Sequence, residues 1–335
     1  MIRICQLTFF LLLTLSFSCN DSKIEDQDDA AQPSAAIEPD LTTQVTNVFE
    51  EKFGVHEGKR RNHIDGFCFL GHLKIKDKTI QDYSKSAIFS DVPLSVVGRF
   101  SHKGGVKKDE GQAGEYGMAF QVRMAKGGLH NFSMNTLDFF PVSTPEGFLQ
   151  LMQAKVSGKA EDFDKLKTDH PEFANYKAYY KDKPSELKPY SNHRFNSVNT
   201  FLLENETGTS TAVRWSFVPQ NEEVRLDPAK KIDFFELTQQ SLQTGKPLVW
   251  EMVISIANED DRINDASVQW EGEHKQIVAA TLTVEEVVAS GACDDLNFDP
   301  LVLSPGFKPS EDPVLMFRSP AYASSFARRL QEKNK

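Results

Sequence analysis

Beyond about Thr46 the chain alternates between short apolar runs, rich in β-branched and aromatic residues, and polar breaks that contain glycine. The runs GFCFLGHLKI (66–75), PLSVVGRF (93–100), YGMAFQVRM (116–124), TAVRWSFVP (211–219), PLVWEMVISIA (247–257) and QIVAATLTVEEVV (276–288) predict strands. No regular strand–helix alternation joins the first of them, which favours a large antiparallel sheet or barrel over a doubly wound parallel sheet. Helical spacing falls between and after the strands. TPEGFLQLMQAKV (144–156) opens on a capping Thr followed by Pro, DPAKKIDFFELTQQSLQTG (227–245) ends on Gly, and SPAYASSFARRLQEKN (319–334) ends in basic residues. The fold class that follows is α+β: a large antiparallel β-barrel with surrounding helices.

The first 45 residues are patterned differently. Met1–Ser18 holds the apolar run LTFFLLLTLSF, too short for a permanent span and suited to a secretory signal peptide. Ser16-Phe17-Ser18-Cys19 is similar to a bacterial lipoprotein cleavage site, although Phe17 is bulkier than usual there; an ordinary signal peptide is the alternative. The expected organisation is a signal peptide (1–18), a lipidated Cys19 with an acidic flexible tether (19–45), and one folded domain (46–335). Such a chain is exported and held at the periplasmic face of a bacterial membrane or at the cell surface, without spanning the bilayer.

Charge sharpens that division. The chain carries 38 Lys+Arg against 48 Asp+Glu, a net −10, and residues 1–45 contribute half of it with two basic and seven acidic side chains. An acidic balance argues against nucleic-acid binding, which needs a basic face. With 39% apolar and 26% charged residues, the chain is neither a multispan membrane protein nor wholly disordered. Of four cysteines, Cys5 lies in the signal segment and Cys19 at the lipid site. Cys68 and Cys293 remain, as a disulfide or as two buried thiols, and the thiols are favoured because nothing in the sequence brings the two together.

The common local motifs are missing: no HExxH, paired CxxC, phosphate-binding loop, GxGxxG or GxSxG. Four longer constellations carry the information. GVHEGKRRNHIDGFCFLG (54–71) places Arg60 three residues before His63 at the mouth of a strand. SVVGRFSHKGG (95–105) ends a strand on Arg99-Phe100-Ser101. GMAFQVRMAKGGLHNFSMNTLDFFPVSTPEGFLQLM (117–152) sets Phe139-Phe140 before a helix. FRSPAYASSFARRL (317–330) contains Arg318-x-x-x-Tyr322 and then Arg329.

In this order the four resemble the haem-containing catalase family, especially its short branch of catalase-related peroxidases, from about Gly54 to Leu330. The resemblance implies a minimal catalase-like haem fold and haem b as cofactor. Tyr322 matches the axial tyrosinate ligand of the iron, with Arg318 one helical turn away supplying positive charge. His63 matches the distal acid/base, and Ser101 the residue that fixes its tautomer. Arg60, Arg99 and Arg329 match the partners of the haem propionates, since guanidinium forks suit carboxylates. Phe148 looks like the aromatic that stacks on the porphyrin. Many catalases have two Asn before the Thr preceding the Phe pair; here that register reads Met134-Asn135-Thr136, so a thioether replaces the distal amide. Weak dismutation of hydrogen peroxide is the expected result, with the balance shifted toward peroxidase chemistry using a reducing donor. The same fold can rearrange fatty-acid hydroperoxides, and a chain keeping only haem ligation would be a lipid-anchored haem carrier. Retention of His63 and Ser101 favours the enzyme.

Overall fold

The computed structural model describes residues 39–334 apart from 108–109, 112–113, 126, 183–185 and 228–230. The signal segment, Cys19 and most of the proposed tether therefore lie outside the described residues. Ten strands are described: β1 (Gly66–Ile75), β2 (Leu94–His102), β3 (Tyr116–Arg123), β4 (Leu129–Asn135), β5 (Phe195–Asn196), β6 (Phe201–Glu204), β7 (Ser210–Pro219), β8 (Leu248–Ile256), β9 (Gln276–Val288) and β10 (Phe307–Pro309). Eight of them close an antiparallel ring in the order β1-β2-β3-β4-β5-β7-β8-β9, with β9 returning to β1; β6 extends from β7 and β10 from β6. Closure leaves the eight-stranded ring without an open edge.

The interior follows from alternation. Phe67, Phe69, Phe100, Phe120, Phe132, Phe217 and Trp250 occupy inward positions and form one apolar core. On the opposite face of β1 to β4 lie smaller and polar residues, covered by helices. These are α1 (Leu41–Phe53), α2 (Pro145–Ser157) and α6 (Pro313–Lys333), whose Val45, Val48, Leu149, Met152 and Phe317 make a second cluster. Three more helices complete the described set: α3 (Ala160–Asp169), α4 (Phe173–Asp182) and α5 (Phe234–Gln243).

Several expectations shift. The first helix starts at Leu41, inside the proposed tether, because Asp40 accepts a hydrogen bond from the Thr43 N–H at 2.9 Å and Val45 and Val48 are buried. Among the described residues, the helix expected over 227–245 spans Phe234–Gln243 with Asp233 as its cap. The last helix begins at Pro313 rather than Ser319; Asp312-Pro313 uses the same cap-and-proline device, and Pro320 is tolerated inside it. Cys68 and Cys293 form a disulfide with Cα atoms 5.5 Å apart, against the two thiols favoured above. The reason is register: β9 places Val288 opposite Cys68, and the short turn Ala292–Asp295 brings residue 293 back over β1.

Candidate active site

Pairing of β1 to β4 aligns two neighbouring rows on the barrel's outer face. One row is Gly66, Ser101, Gly117 and Asn135; the next is Cys68, Arg99, Ala119 and Ser133. Two residues along a strand separate the rows, about 7 Å. Between this face and α1, α2 and α6 lies a cavity of about 480 Å³, within the range of ligand sites. All eight predicted residues line it: Arg60, His63, Arg99, Ser101, Phe148, Arg318, Tyr322 and Arg329.

His63 stands over the first row. Its φ of 58° lies in the left-handed region, uncommon for a residue with a side chain, and neighbours hold it there. Asn62 Oδ1 accepts from the N–H groups of His63 and Gly104, each at 2.9 Å. Arg99 donates to the carbonyls of His63 and Ile64 at 2.9 and 2.8 Å. The imidazole Nδ1 lies 3.0 Å from Ser101 Oγ. Gly117 provides the room: a Cβ there would come within 3.0 Å of Ser101 Oγ and 3.1 Å of the imidazole. Burial, reinforced by the positive charges of Lys103 and Arg99, draws His63 down to about 3, so the ring is neutral across the physiological range.

Tyr322 stands over the second row. Its hydroxyl shares a 2.7 Å hydrogen bond with Ser133 Oγ and accepts from Arg318 Nη2 at 3.2 Å. Arg318 also donates to Ser133 Oγ at 3.0 Å and to Asn199 Oδ1 at 3.0 Å; Asn199 Nδ2 donates to Asp312 at 3.0 Å. Asp312 is fully buried and also caps α6, accepting from the Val314 N–H at 2.8 Å. Burial raises its carboxyl above the usual range. A carboxylate at the helix start is thus linked through an amide and a guanidinium to the tyrosine one helix face further on. Next to Asn199, Val198 is held at a φ of 67°, strained for a β-branched residue.

Arg60, Arg99 and Arg329 close one end. Desolvation lowers the pKa of each, and in Arg60 the charges of Arg99 and Arg329 push in the same direction. The Nε atoms of Arg99 and Arg329 are buried without a hydrogen-bond partner among the described residues. Mutually repelling guanidiniums with orphaned donors, only partly offset by Asp294 at 3.9 Å from Arg60, suit a further anion. The residues therefore fit the haem that the resemblance implies: cations for its carboxylates, aromatics such as Phe148 for its faces, and Tyr322 for its metal.

One reading is corrected. Met134 borders the cavity, but its side chain occupies the inward row with Phe67, Phe100 and Met118 and belongs to the barrel core. Asn135 occupies the outward row beside Gly117, where its Oδ1 accepts from the Leu137 N–H at 3.4 Å. An amide therefore faces the cavity one residue later than the aligned register placed it. Counting out from Phe139-Phe140 missed this, whereas strand parity finds it, because the face of Ser133 is also the face of Asn135. The residues that the motifs did not single out are Asn62, Gly117, Ser133, Asn199 and Asp312. Gly117 and Ser133 follow from parity once the strands are paired, whereas Asn199 and Asp312 carry no local signal.

Barrel and covered cavity define the class as a catalase-type fold. The structure resembles catalase A from Saccharomyces cerevisiae (TM-score 0.69, 18% identity, 81% of this chain and 61% of that one) and a fungal catalase (0.70, 20%, 81% and 59%). It also resembles a bacterial catalase (0.70, 18%, 92% and 63%); the chain spans roughly three fifths of these solved chains. The family model for catalase matches residues 55–335, and the chain belongs to the catalase family. Relatives include a catalase-related peroxidase of Synechococcus elongatus, 32% identical over 88% of this chain and 90% of that protein. Another, from Mycolicibacterium paratuberculosis, is 27% identical over 87% and 95%.

Proposed function

We propose that this chain is a haem b-dependent peroxidase, which reduces hydrogen peroxide or an organic hydroperoxide with electrons from a reducing donor. His63 is its distal acid/base and Tyr322 its axial iron ligand. The observation that carries the reading is one cavity holding a neutral imidazole over one strand row, a phenol over the next, and three arginines at its end. Membership of the catalase family and relatives described as catalase-related peroxidases support it. The bound haem supplies the redox centre at which the peroxide O–O bond breaks. The protein's part is proton handling and placement. With Nδ1–H donated to Ser101 Oγ, His63 Nε2 is free to take a proton from peroxide and return it to the departing oxygen. The Asn135 amide can donate to the peroxide, which removes the ground for expecting weak dismutation. Arg318 and Ser133 hold the Tyr322 oxygen in place, and Arg60, Arg99 and Arg329 bind carboxylates.

We also propose export and attachment to a membrane through a lipid on Cys19; the Cys68–Cys293 disulfide supports an oxidising compartment. The test of the activity is the absorption spectrum of the haem-reconstituted protein before and after peroxide. His63→Ala should keep the Soret band and lose the peroxide response, while Tyr322→Phe should lose the tyrosinate-type spectrum. A parent protein without a Soret band after reconstitution overturns the proposal.

A further inference from the structure

The cluster of Arg60 and Arg329 is anchored almost wholly by one short stretch of backbone. Arg60 Nη2 donates to the carbonyls of Cys293 and Leu296, each at 3.0 Å. Arg329 donates to the carbonyls of Asp294 at 2.9 Å and Leu296 at 3.3 Å. The Arg60 guanidinium also lies over the Phe298 ring, 5.6 Å from its centroid. Cys293 itself is fully buried and bonded to Cys68, whose cross-strand partner in β2 is Arg99, the third member of the cluster. Asn131 ties the far end of the stretch to β4 through the carbonyls of Asn297 and Asp299. At its near end the main chain runs in from Val288 of β9 through residues 289–292, and the disulfide adds a direct cross-link to β1.

Three guanidiniums repel one another in a desolvated pocket; Asp294, 3.9 Å from Arg60, offsets part of that repulsion and belongs to the same stretch as the carbonyls that hold Arg60 and Arg329, so their spacing from Arg99 depends on that stretch staying fixed. We propose that the Cys68–Cys293 disulfide is a positioning element for the cofactor's carboxylates: it fixes residues 293–296 against β1 and thereby sets the spacing of Arg60, Arg99 and Arg329. The inference rests on the haem reading above. It assigns the disulfide to the grip on the carboxylate edge; Tyr322 packs against the same Cys68–Cys293–Phe298 cluster, so the test below compares cofactors with and without carboxylates to tell that grip from iron ligation. The mechanism is preorganisation: carboxylates that enter a fixed cluster do not have to gather the arginines first.

The test measures haem loss to excess apomyoglobin from the parent and from a Cys68→Ala/Cys293→Ala chain. Each is loaded either with haem b or with its dimethyl ester, which lacks the two charges. The cysteine-free chain should release haem b about tenfold faster and the ester at the parent rate, with Soret positions unchanged. In an Arg60→Ala background, removing the disulfide should matter less, because the two changes act on one contact. If the cysteine-free chain does not fold, the parent is folded oxidised and then reduced with dithiothreitol for the same comparison. Equal haem b release from parent and disulfide-free protein overturns the inference, as does equal acceleration for the ester, which would mark general loosening. A parent that takes up no haem at all overturns the underlying reading instead.

Discussion

Gly117→Ala probes the packing around the His63 imidazole with one added methyl group. The new Cβ would sit 3.0 Å from Ser101 Oγ and 3.1 Å from His63 Nδ1 and Cε1, whereas relaxed contacts lie near ~3.5–4.0 Å. Something must retreat by about 0.5 Å. The His63 backbone cannot: Asn62 holds its N–H, Arg99 its carbonyl, and its φ is already 58°. Gly117 is equally fixed, paired with Ser101 in β2 and Asn135 in β4. The imidazole therefore swings and gives up its 3.0 Å contact with Ser101. Overpacking and a lost hydrogen bond together destabilise by about 1–3 kcal/mol. Misplacing a catalytic group by about 1 Å costs on the order of a hundredfold in rate, so half that displacement gives roughly tenfold. Stopped-flow absorbance of the haem-loaded protein after mixing with peroxide reads the rate, and a thermal melt reads the stability. A Gly117→Ala protein that reacts at the parent rate would refute the reasoning. Ser101→Ala, which removes the hydrogen bond without adding bulk, should fall between the two.

Three further outcomes follow from the site and the sequence. Asn135→Leu should slow the peroxide reaction by tenfold or more while leaving the Soret band intact, and Met134→Leu should change it little; stopped-flow rates in the reverse order would put the amide on the wrong face. Burial draws His63 and His130 to about 3 and His102 and His193 to about 4, all below the ordinary 6.5. The unfolded chain therefore takes up protons that the folded one refuses, so this stability is complete above pH ~6.5 and is lost as pH falls toward 3–4. Urea midpoints should be level above neutrality and decline from about pH 6.5, ahead of the carboxylates; a midpoint unchanged between pH 7 and 5 contradicts the assignment. Cys19→Ala should move the chain from the membrane to the soluble fraction on cell fractionation, and an unchanged distribution would reject the lipid anchor.

Much of this site was legible in the sequence because its charged groups sit in ordered constellations: Arg60 with His63, Arg99 with Ser101, and Arg318 with Tyr322 and Arg329. The six long strands were legible too, since each combines β-branched or aromatic density with polar breaks. Short elements escaped for physical reasons. β5 has two residues, Phe195–Asn196, and its pairing is fixed by neighbours rather than by its own pattern. α1 looked like tether because Leu41-Thr42-Thr43 is weak in helix propensity, while Asp40 and the burial of Val45 and Val48 set it in place. Met134 and Asn135 show the limit of alignment by motif: a single residue of slip exchanges the two faces of a strand, and only pairing decides which side chain meets the cavity. Asn199 reaches Arg318 across 119 positions of sequence, a distance that no local pattern encodes.

The barrel ring is complete once β9 has formed, yet the tyrosine that faces the cavity arrives with α6, and its counterpart His63 precedes β1. The two halves of the pocket are therefore made at opposite ends of synthesis. His63 is thus in place before the cavity has its last wall, which only the docking of α6 supplies. On the haem reading proposed above, cofactor capture is a closing step of folding, and a chain cut before Pro313 would carry the barrel with one wall of its pocket missing.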